Sequence, residues 1–461
     1  MNQFGMKDKL GYMFGDLGND LFFLLVSSYL MKYYTDILGI SPAAVGALLV
    51  VASIWYAFSD VIWGRVIDSR KATKQGKFRP WIRRMSLPLV IFGCLIFFGL
   101  PIQKMPGITG TALMFAIYLI WGTIYSSVNI PYGSMAAVIT SDPVERSSLS
   151  TFRSMGAAIA GIFIGFIVPM FCFVEKEVNG TTVRALDKTH MRYTAIAFAI
   201  VAFICYMICY KSSTERIVTT EKNEKVKLSA TLKGLKNNRA LLAIIAAAIV
   251  LLLSTLLGTG LNSYLFTDYF NNTTALTVAS IIQLGTPLVI APFVGGIIKK
   301  FGKKEAASVA MILAAVIYLI LFLLPIKNPV IYIVIMFFGA VCSGFFTTVI
   351  WAFITDVIDY HEFVTGTRED ATIYSVYSFA RKIGQAAAGG LTGFALGAIG
   401  YVSAKTGEVV VQTPEVAQGI KNIATLVPAI CYALVALILI FWYPLGRKKL
   451  EEINKKLRSN N

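Results

Sequence analysis

Twelve stretches of about 20 apolar residues run through this 461-residue chain, and nothing else about it narrows its folding options so far. They lie near 11–34, 43–67, 82–101, 110–133, 151–174 and 192–210. Six more follow near 241–268, 276–298, 305–325, 329–355, 372–400 and 422–444, after a polar stretch at 211–239. Hydrocarbon offers no water to backbone N–H and C=O groups, so such segments must satisfy those groups internally, as helices. A membrane β-barrel would alternate over about 10 residues, and the run 241–257 does not alternate. The expected fold is therefore all-α and integral to a membrane, with twelve transmembrane helices in two bundles of six.

Composition closes off the soluble alternatives. Hydrophobic residues make up 56% of the chain and charged residues only 15%. Ordinary globular domains carry about a quarter charged, so this chain lacks the wettable surface that two or three of them require. The net charge of +17 invites a nucleic-acid reading, but the basic residues sit in short clusters between apolar runs and not along one solvated face. No nucleic-acid partner is expected. With both termini cytoplasmic, the clusters at 70–84, 211–239, 299–304 and 447–458 all fall on the cytoplasmic side, the orientation that the positive-inside rule selects. The six cysteines form no CxxC pair or Cys/His cluster, and His190 and His361 fall in loops. Neither a metal site nor a cofactor is expected. Lys7, Asp8 and Lys9 precede an apolar run with no small-residue cleavage pattern, which reads as a retained first helix.

The layout divides the chain into an N-terminal bundle (1–210), a cytoplasmic central linker (211–240), a C-terminal bundle (241–446) and a basic cytoplasmic tail (447–461). A glycine-then-basic loop recurs at the matching place in each half. Gly64-Arg65-Val66-Ile67-Asp68 follows the second helix and Gly296-Ile297-Ile298-Lys299-Lys300 the eighth. Half-to-half repeats of this kind occur in transporters whose substrate site lies between the halves, so a two-domain transporter is the expected architecture.

Ionisable groups deep in an apolar segment are costly and ordinarily face a cavity or a partner. The first helix carries Asp16 and Asp20 one turn apart, hence on one face, with Gly15 and Gly18 thinning the helix beside them. Asp20 lies deeper and is the stronger candidate for substrate contact. The second helix carries Tyr56, Ser59 and Asp60, and a carboxylate at that depth can bind a cation or take up a proton. In the fourth, Tyr125-Ser126-Ser127-Val128-Asn129-Ile130-Pro131-Tyr132-Gly133 contains a proline that frees a backbone carbonyl one turn earlier, while Asn129 and Ser126 can turn toward hydroxyl groups. Plainer readings stand beside these: Asp16 solvated near the helix end, Asp60 in a static ion pair, and a kink satisfied by Ser127. Arg153 lies a few residues inside the fifth helix. Arg381 and Lys382 sit about ten residues into the eleventh, roughly 100° apart around it, so at most one can face Asp60. Tyr29, Tyr125 and Tyr377 are rings that can stack on a sugar.

The chain resembles the glycoside–pentoside–hexuronide:cation symporters of the major facilitator superfamily along its whole length. The resemblance is carried by Lys9-Leu10-Gly11-Tyr12 with Phe14-Gly15, Tyr33-Tyr34-Thr35-Asp36, Gly76-Lys77-Phe78-Arg79-Pro80-Trp81, Asn129-Ile130-Pro131-Tyr132-Gly133-Ser134 and Asp356-Val357-Ile358-Asp359-Tyr360. In the melibiose-permease branch a first-helix aspartate and a fifth-helix arginine hold the sugar, which implies Asp20 and Arg153 here. A second-helix aspartate pair binds the cation near an eleventh-helix lysine. Only the second aspartate is kept, as Asp60, with Tyr56 at the first place and Lys382 as the lysine. The fourth-helix aspartate of that branch is Asn129 here. Ser378-Phe379-Ala380-Arg381-Lys382-Ile383-Gly384-Gln385 and Val411-Gln412-Thr413-Pro414-Glu415-Val416 are closer to the glucuronide-transporter branch.

The resemblance implies cation-coupled symport of a glycoside, hexuronide or pentoside by alternating access, with no enzyme activity. The expected substrate contacts are Asp20, Asn19, Tyr125, Asn129, Arg153, Tyr377 and Ser378, and the coupling group is Asp60 with Tyr56, Ser59 and Lys382. Two carboxylates are missing from the family's cation cluster, and sodium wants several hard oxygens, so a proton is favoured over sodium. The implied partners are a small sugar, a monovalent cation and the lipid bilayer of the cell membrane, with the monomer as the working unit. A sodium-dependent lysolipid transporter is the rival within transport, and a membrane-embedded enzyme or a non-transporting sensor the rivals outside it. Charge pairs among the 70–84 loop, Asp142, Glu145, Asp356 and Asp359 are candidate latches at the inner gate.

Overall fold

Helix ends in this chain follow local chemistry. Ser41, Asp187, Asn238, Asn272 and Thr413 each accept a hydrogen bond from a backbone N–H of the turn they precede. Pro42, Pro143, Pro329 and Pro414 open helices at the position where their missing N–H has no partner to lose. A computed structural model describes residues 4–70, 72–73, 75–98, 108–140, 143–178, 181–216, 238–365, 370–403 and 410–459, with some helix positions, Ser378 and Lys382 among them, described at the backbone only.

The first six helices are α1 (Met6–Lys32), α2 (Pro42–Ser69), α3 (Arg79–Phe98), α4 (Thr109–Ile139), α5 (Pro143–Phe171) and α6 (Lys188–Ser212). The second six are α7 (Arg239–Tyr264), α8 (Thr273–Phe301), α9 (Lys303–Leu323), α10 (Pro329–Thr365), α11 (Asp370–Ala398) and α12 (Pro414–Leu437), with a short α13 (Arg447–Ser459) after them. A helix covers each of the twelve apolar runs. Nine among the described residues are long and apolar enough to cross a membrane, and α1, α8 and α11 fall outside that set. Two of those three carry ionisable groups at depth, Asp16 and Asp20 on α1 and Arg381 and Lys382 on α11. A helix that lines a polar space can spare apolar residues. On α2 the exposed Val51, Ile54, Trp55, Phe58 and Ile62 recur at helical spacing and form an outer, lipid-directed face.

The fold departs from the all-helical reading at one place. Phe173–Val178 (β1) and Thr181–Leu186 (β2) pair antiparallel as a hairpin between α5 and α6. Its Arg184 reaches the second half, donating from Nη1 to Thr273 Oγ1 at 2.5 Å, while Asn271 Nδ2 donates to the Thr182 carbonyl at 3.2 Å.

Burial shows where the halves meet. One buried apolar cluster holds the first half and continues into the second through Leu257, Leu261, Tyr264, Tyr332 and Leu396. These lie toward the end opposite the chain termini, called here the far end. A separate cluster, from Ala240 to Ile453, fills the second half alone at the terminal end. The closest backbone approaches agree. A Cβ on Gly393 of α11 would stand 2.4 Å from the Pro42 carbonyl of α2, and one on Gly165 of α5 would stand 3.1 Å from Ser280 of α8. Among the described residues, the close approaches between the halves lie at the far end.

The terminal end of the first half is tied by residues that follow α6. Glu215 takes the backbone N–H groups of Lys77, Phe78 and Arg79 at 2.7–2.9 Å, so the N-terminus of α3 is answered by a carboxylate of the same chain. Arg216 pairs with Asp8 at the start of α1 at 2.8 Å. Glu215→Ala should destabilise the protein by about 2 kcal/mol, since three donors lose a charged acceptor. Thermal unfolding in detergent would check this, and an unchanged midpoint would remove Glu215 from the account.

Candidate functional site

The polar cluster of the first half depends on one close helix contact. A Cβ on Gly156 of α5 would stand 2.4 Å from the Met13 carbonyl and 3.1 Å from the Leu17 amide, so α5 lies directly on the backbone of α1. Arg153 sits one turn before Gly156, and the contact brings its Nε 2.9 Å from Asp16 Oδ1. Asp16 is buried, but the Arg153 side chain keeps 46% exposure. Its two Nη atoms make no hydrogen bond among the described residues. Pairing on one nitrogen leaves the bidentate edge of the guanidinium unpaired among the described residues.

Aromatic rings floor this pair. The Tyr132 ring stacks on Tyr12 with centroids 4.6 Å apart, its hydroxyl donates to the Tyr12 carbonyl at 2.7 Å, and the Arg153 guanidinium lies 5.6 Å above it. Tyr125, one helical stretch along α4, sits between Phe23 at 6.4 Å and Trp121 at 5.5 Å. It lies within electrostatic reach of Asp20, Asp16, Arg153 and Asp60. Residues from α1, α2, α4 and α5 therefore surround one ring. Asp20 and Asn129 are half-buried and have no hydrogen-bond or ion-pair partner among the described residues. Unpaired polar groups at that depth are candidates for contact with a ligand.

Several expected residues fall elsewhere. Arg153, expected beside Asp20 as a sugar contact, makes its ion pair with Asp16, and α5 begins at Pro143 instead of near 151. Asn19 faces away from the cleft: it is 1% exposed, and its Oδ1 accepts from Tyr206 of α6 at 2.8 Å. Tyr56 turns its hydroxyl to the Tyr118 carbonyl at 2.7 Å and fills the space left by Gly122, so it does not offer its oxygen beside Asp60. Ser59 is buried, and its Oγ has no partner among the described residues. Asp60 is half-buried. Ser126 and Ser127 bond back to the carbonyls of Gly122 and Ile124 on their own helix. Tyr377 is fully buried in the core of the second half. The side chains of Ser378 and Lys382 lie outside the described residues, as does Asp142. Of the expected latches, Asp356 pairs within its own half, with Lys303 at 2.6 Å, and Glu145 accepts from the Thr140 hydroxyl.

Two polar sets escaped the reading of single helices. Asn262 of α7 donates to Gln283 of α8 at 2.5 Å, and Gln283 donates to Thr259 at 3.3 Å. The pair borders a narrow cavity against Ser28 and Tyr29 of α1 and another against Tyr318 and Tyr432. Uncharged amides in an apolar run give little warning, and neither was singled out. The second set joins Lys32, Asp36 and Asp268 at the far end. Its signal was available, since Thr35-Asp36 and Thr267-Asp268 close the first helix of each half.

Two six-helix halves packed closest at the far end, with ionisable groups carried deep into the first, have the layout of a major facilitator transporter. The solved structure of a D-xylose–proton symporter shares the fold with a TM-score of 0.66 at 13% identity, over 95% of this chain and 98% of that one. The MFS/sugar transport protein family profile matches residues 11–447, and the chain belongs to that family. A glucuronide carrier protein homolog of Escherichia coli (strain K12) is 32% identical over 455 residues, covering 98% of this chain and 95% of the relative. The isoprimeverose transporter of Lactiplantibacillus pentosus is 29% identical over 466 residues, covering 99% and 91%. The protein is a multi-pass membrane transporter and not an enzyme.

Gly156→Val should force α5 off α1, part Arg153 from Asp16 and destabilise the protein by about 1–3 kcal/mol. Gly133→Ala, where an added Cβ meets nothing within 4 Å, should leave the unfolding midpoint nearly unchanged. Equal midpoints for the two variants would refute the role given to the α1–α5 contact.

Proposed function

We propose that the protein is a cation-coupled symporter that carries a glycoside of glucuronic acid or of a pentose across the cell membrane, with a proton favoured over sodium. The observation that carries this reading is Arg153, held to Asp16 by one nitrogen with its remaining edge unpaired and with Asp20 within electrostatic reach. A planar cation near a free carboxylate is suited to a sugar bearing hydroxyls and a carboxylate. The names of the glucuronide carrier homolog and the isoprimeverose transporter support that substrate class. Tyr125 supplies a ring face at the same place.

In this reading all twelve helices span the membrane, both termini are cytoplasmic, and 1–210 and 241–446 rock as two bodies joined by the 211–240 linker, in a monomer. The far end then faces outside, and the structure is inward-open. Asp60 takes the coupling ion. With the Tyr56 hydroxyl turned to Tyr118, one neutral oxygen is withdrawn from a sodium shell, which favours the proton. Coupling follows when sugar and ion each favour closure more with the other bound.

Uptake into proteoliposomes of a labelled β-glucuronide, a β-xyloside and an α-galactoside, each under a proton gradient and under a sodium gradient, tests substrate and ion together. The β-glucuronide or the β-xyloside should accumulate under the proton gradient. Asp60→Asn should abolish uphill accumulation while exchange persists, and Arg153→Ala should weaken sugar binding at least about tenfold, the loss of one charged hydrogen bond. Intact accumulation in the Asp60 variant would sink the coupling assignment.

A further inference from the structure

The far end is built from a duplicated helix ending. In the first half Lys32-Tyr33-Tyr34-Thr35-Asp36 closes α1, and in the second Tyr264-Leu265-Phe266-Thr267-Asp268 closes α7. Both endings widen into a π-helical turn, Tyr33–Ile37 and Leu265–Tyr269. The backbone bonds that follow match position for position. Leu38 N–H donates to the Tyr33 carbonyl and Phe270 N–H to Leu265, and then Ile40 donates to Tyr34 and Asn272 to Phe266. The repeat thus brings two carboxylates, Asp36 and Asp268, to equivalent places on opposite halves. The two endings differ in charge at one position: where the second half has Tyr264, the first has Lys32.

That exception holds the halves together. Lys32 is 1% exposed. Its ammonium lies 2.8 Å from Asp268, 3.1 Å from Asp36 and 4.3 Å above the Tyr264 ring. The Tyr401 hydroxyl bridges Asp36 at 2.9 Å and Asp268 at 3.4 Å, and the hydroxyls of Thr35 and Tyr264 meet at 3.0 Å. Without the lysine, two carboxylates of the same charge would face each other across the seam. The Lys32–Asp36 pair is an i,i+4 contact within one helix end and survives separation, whereas the Lys32–Asp268 pair is broken by it.

We propose that Lys32, Asp36 and Asp268 form the far-end gate, in which one lysine closes on a carboxylate pair supplied by the internal repeat. Opening carries Lys32 away with Asp36, its own-helix partner, and leaves Asp268 to water. One ion pair is lost and one is kept, which makes the latch reversible. The gate rests on the alternating-access reading, but it is tested without any substrate.

Spin labels on the exposed Ile108 and Val330 report the far end, and labels on the exposed Lys211 and Lys300 report the terminal end, in a chain whose six cysteines are replaced. Lys32→Gln should raise the population with a lengthened far-end distance roughly tenfold, a figure discounted because the carboxylates keep some contact with solvent. The terminal-end distance should shorten in the same molecules. Gly393→Val, which wedges α2 from α11, supplies the opened reference. Asp268→Lys, which keeps the Lys32–Asp36 pair and sets two cations across the seam, should open the far end as well. Asp268→Asn, which removes the pair across the seam but adds no repulsion, should open the far end less than either. Unchanged distances in whichever of Lys32→Gln and Asp268→Lys folds would overturn the gate. Shifted distances in a protein that moves no sugar would uphold the gate and strike the transport reading instead.

Discussion

Charge carried to the depth of a hydrocarbon layer has to be answered there by another charge, a dipole or a wet cleft, and the architecture follows from how each charge is answered. Asp16 is answered by Arg153 and Lys32 by two carboxylates. Other buried or half-buried cations find helix ends. Lys421 donates to the carbonyls of Phe322 and Leu324 where α9 stops, Arg192 to Phe98 where α3 stops, and Lys304 to Tyr443 after α12. Those last carbonyls have no partner within their own helix and carry the negative end of its dipole. Each such contact fixes a neighbouring helix in length and depth. Asp20 and Asn129 are half-buried and have no hydrogen-bond or ion-pair partner among the described residues.

The two halves share a fold without sharing the chemistry. The first concentrates its charged and aromatic groups where α1, α2, α4 and α5 converge on Tyr125, and its helices approach through Gly15 and Gly156 closely enough to hold an ion pair. The second presents neutral amides at Asn262 and Gln283 and encloses an apolar core at its terminal end.

Twelve helices, their order and the long polar break were legible because hydrophobicity over about 20 residues is a strong, local signal. The helices that carry the site were legible too, since Asp16, Asp20, Asp60 and Arg153 stand out against apolar neighbours. What was not legible is which of two aspartates one turn apart receives Arg153. That choice turns on the absence of a Cβ at Gly156, which is a fact of packing between helices. Asn19 shows the same limit: its neighbour in sequence is a cleft residue, but the helix turns it toward Tyr206. The hairpin at 173–186 was missed because its six-residue strands are short and polar, and lie in a connection where only apolar runs were being counted.

That hairpin has a consequence of its own. It belongs to the first half by chain order, yet Arg184 and the Thr182 carbonyl grip Thr273 and Asn271 of the second. Asn271 adopts a left-handed backbone (φ 46°), so the turn that receives the hairpin is shaped by its own geometry as well as by the contact. The two segments form a single composite surface only while the far end is shut. An antibody fragment raised against that combined epitope would read conformation from the outside of the seam. By bridging hairpin and turn it would also hold the carrier in one state, as a clamp placed away from the sugar path.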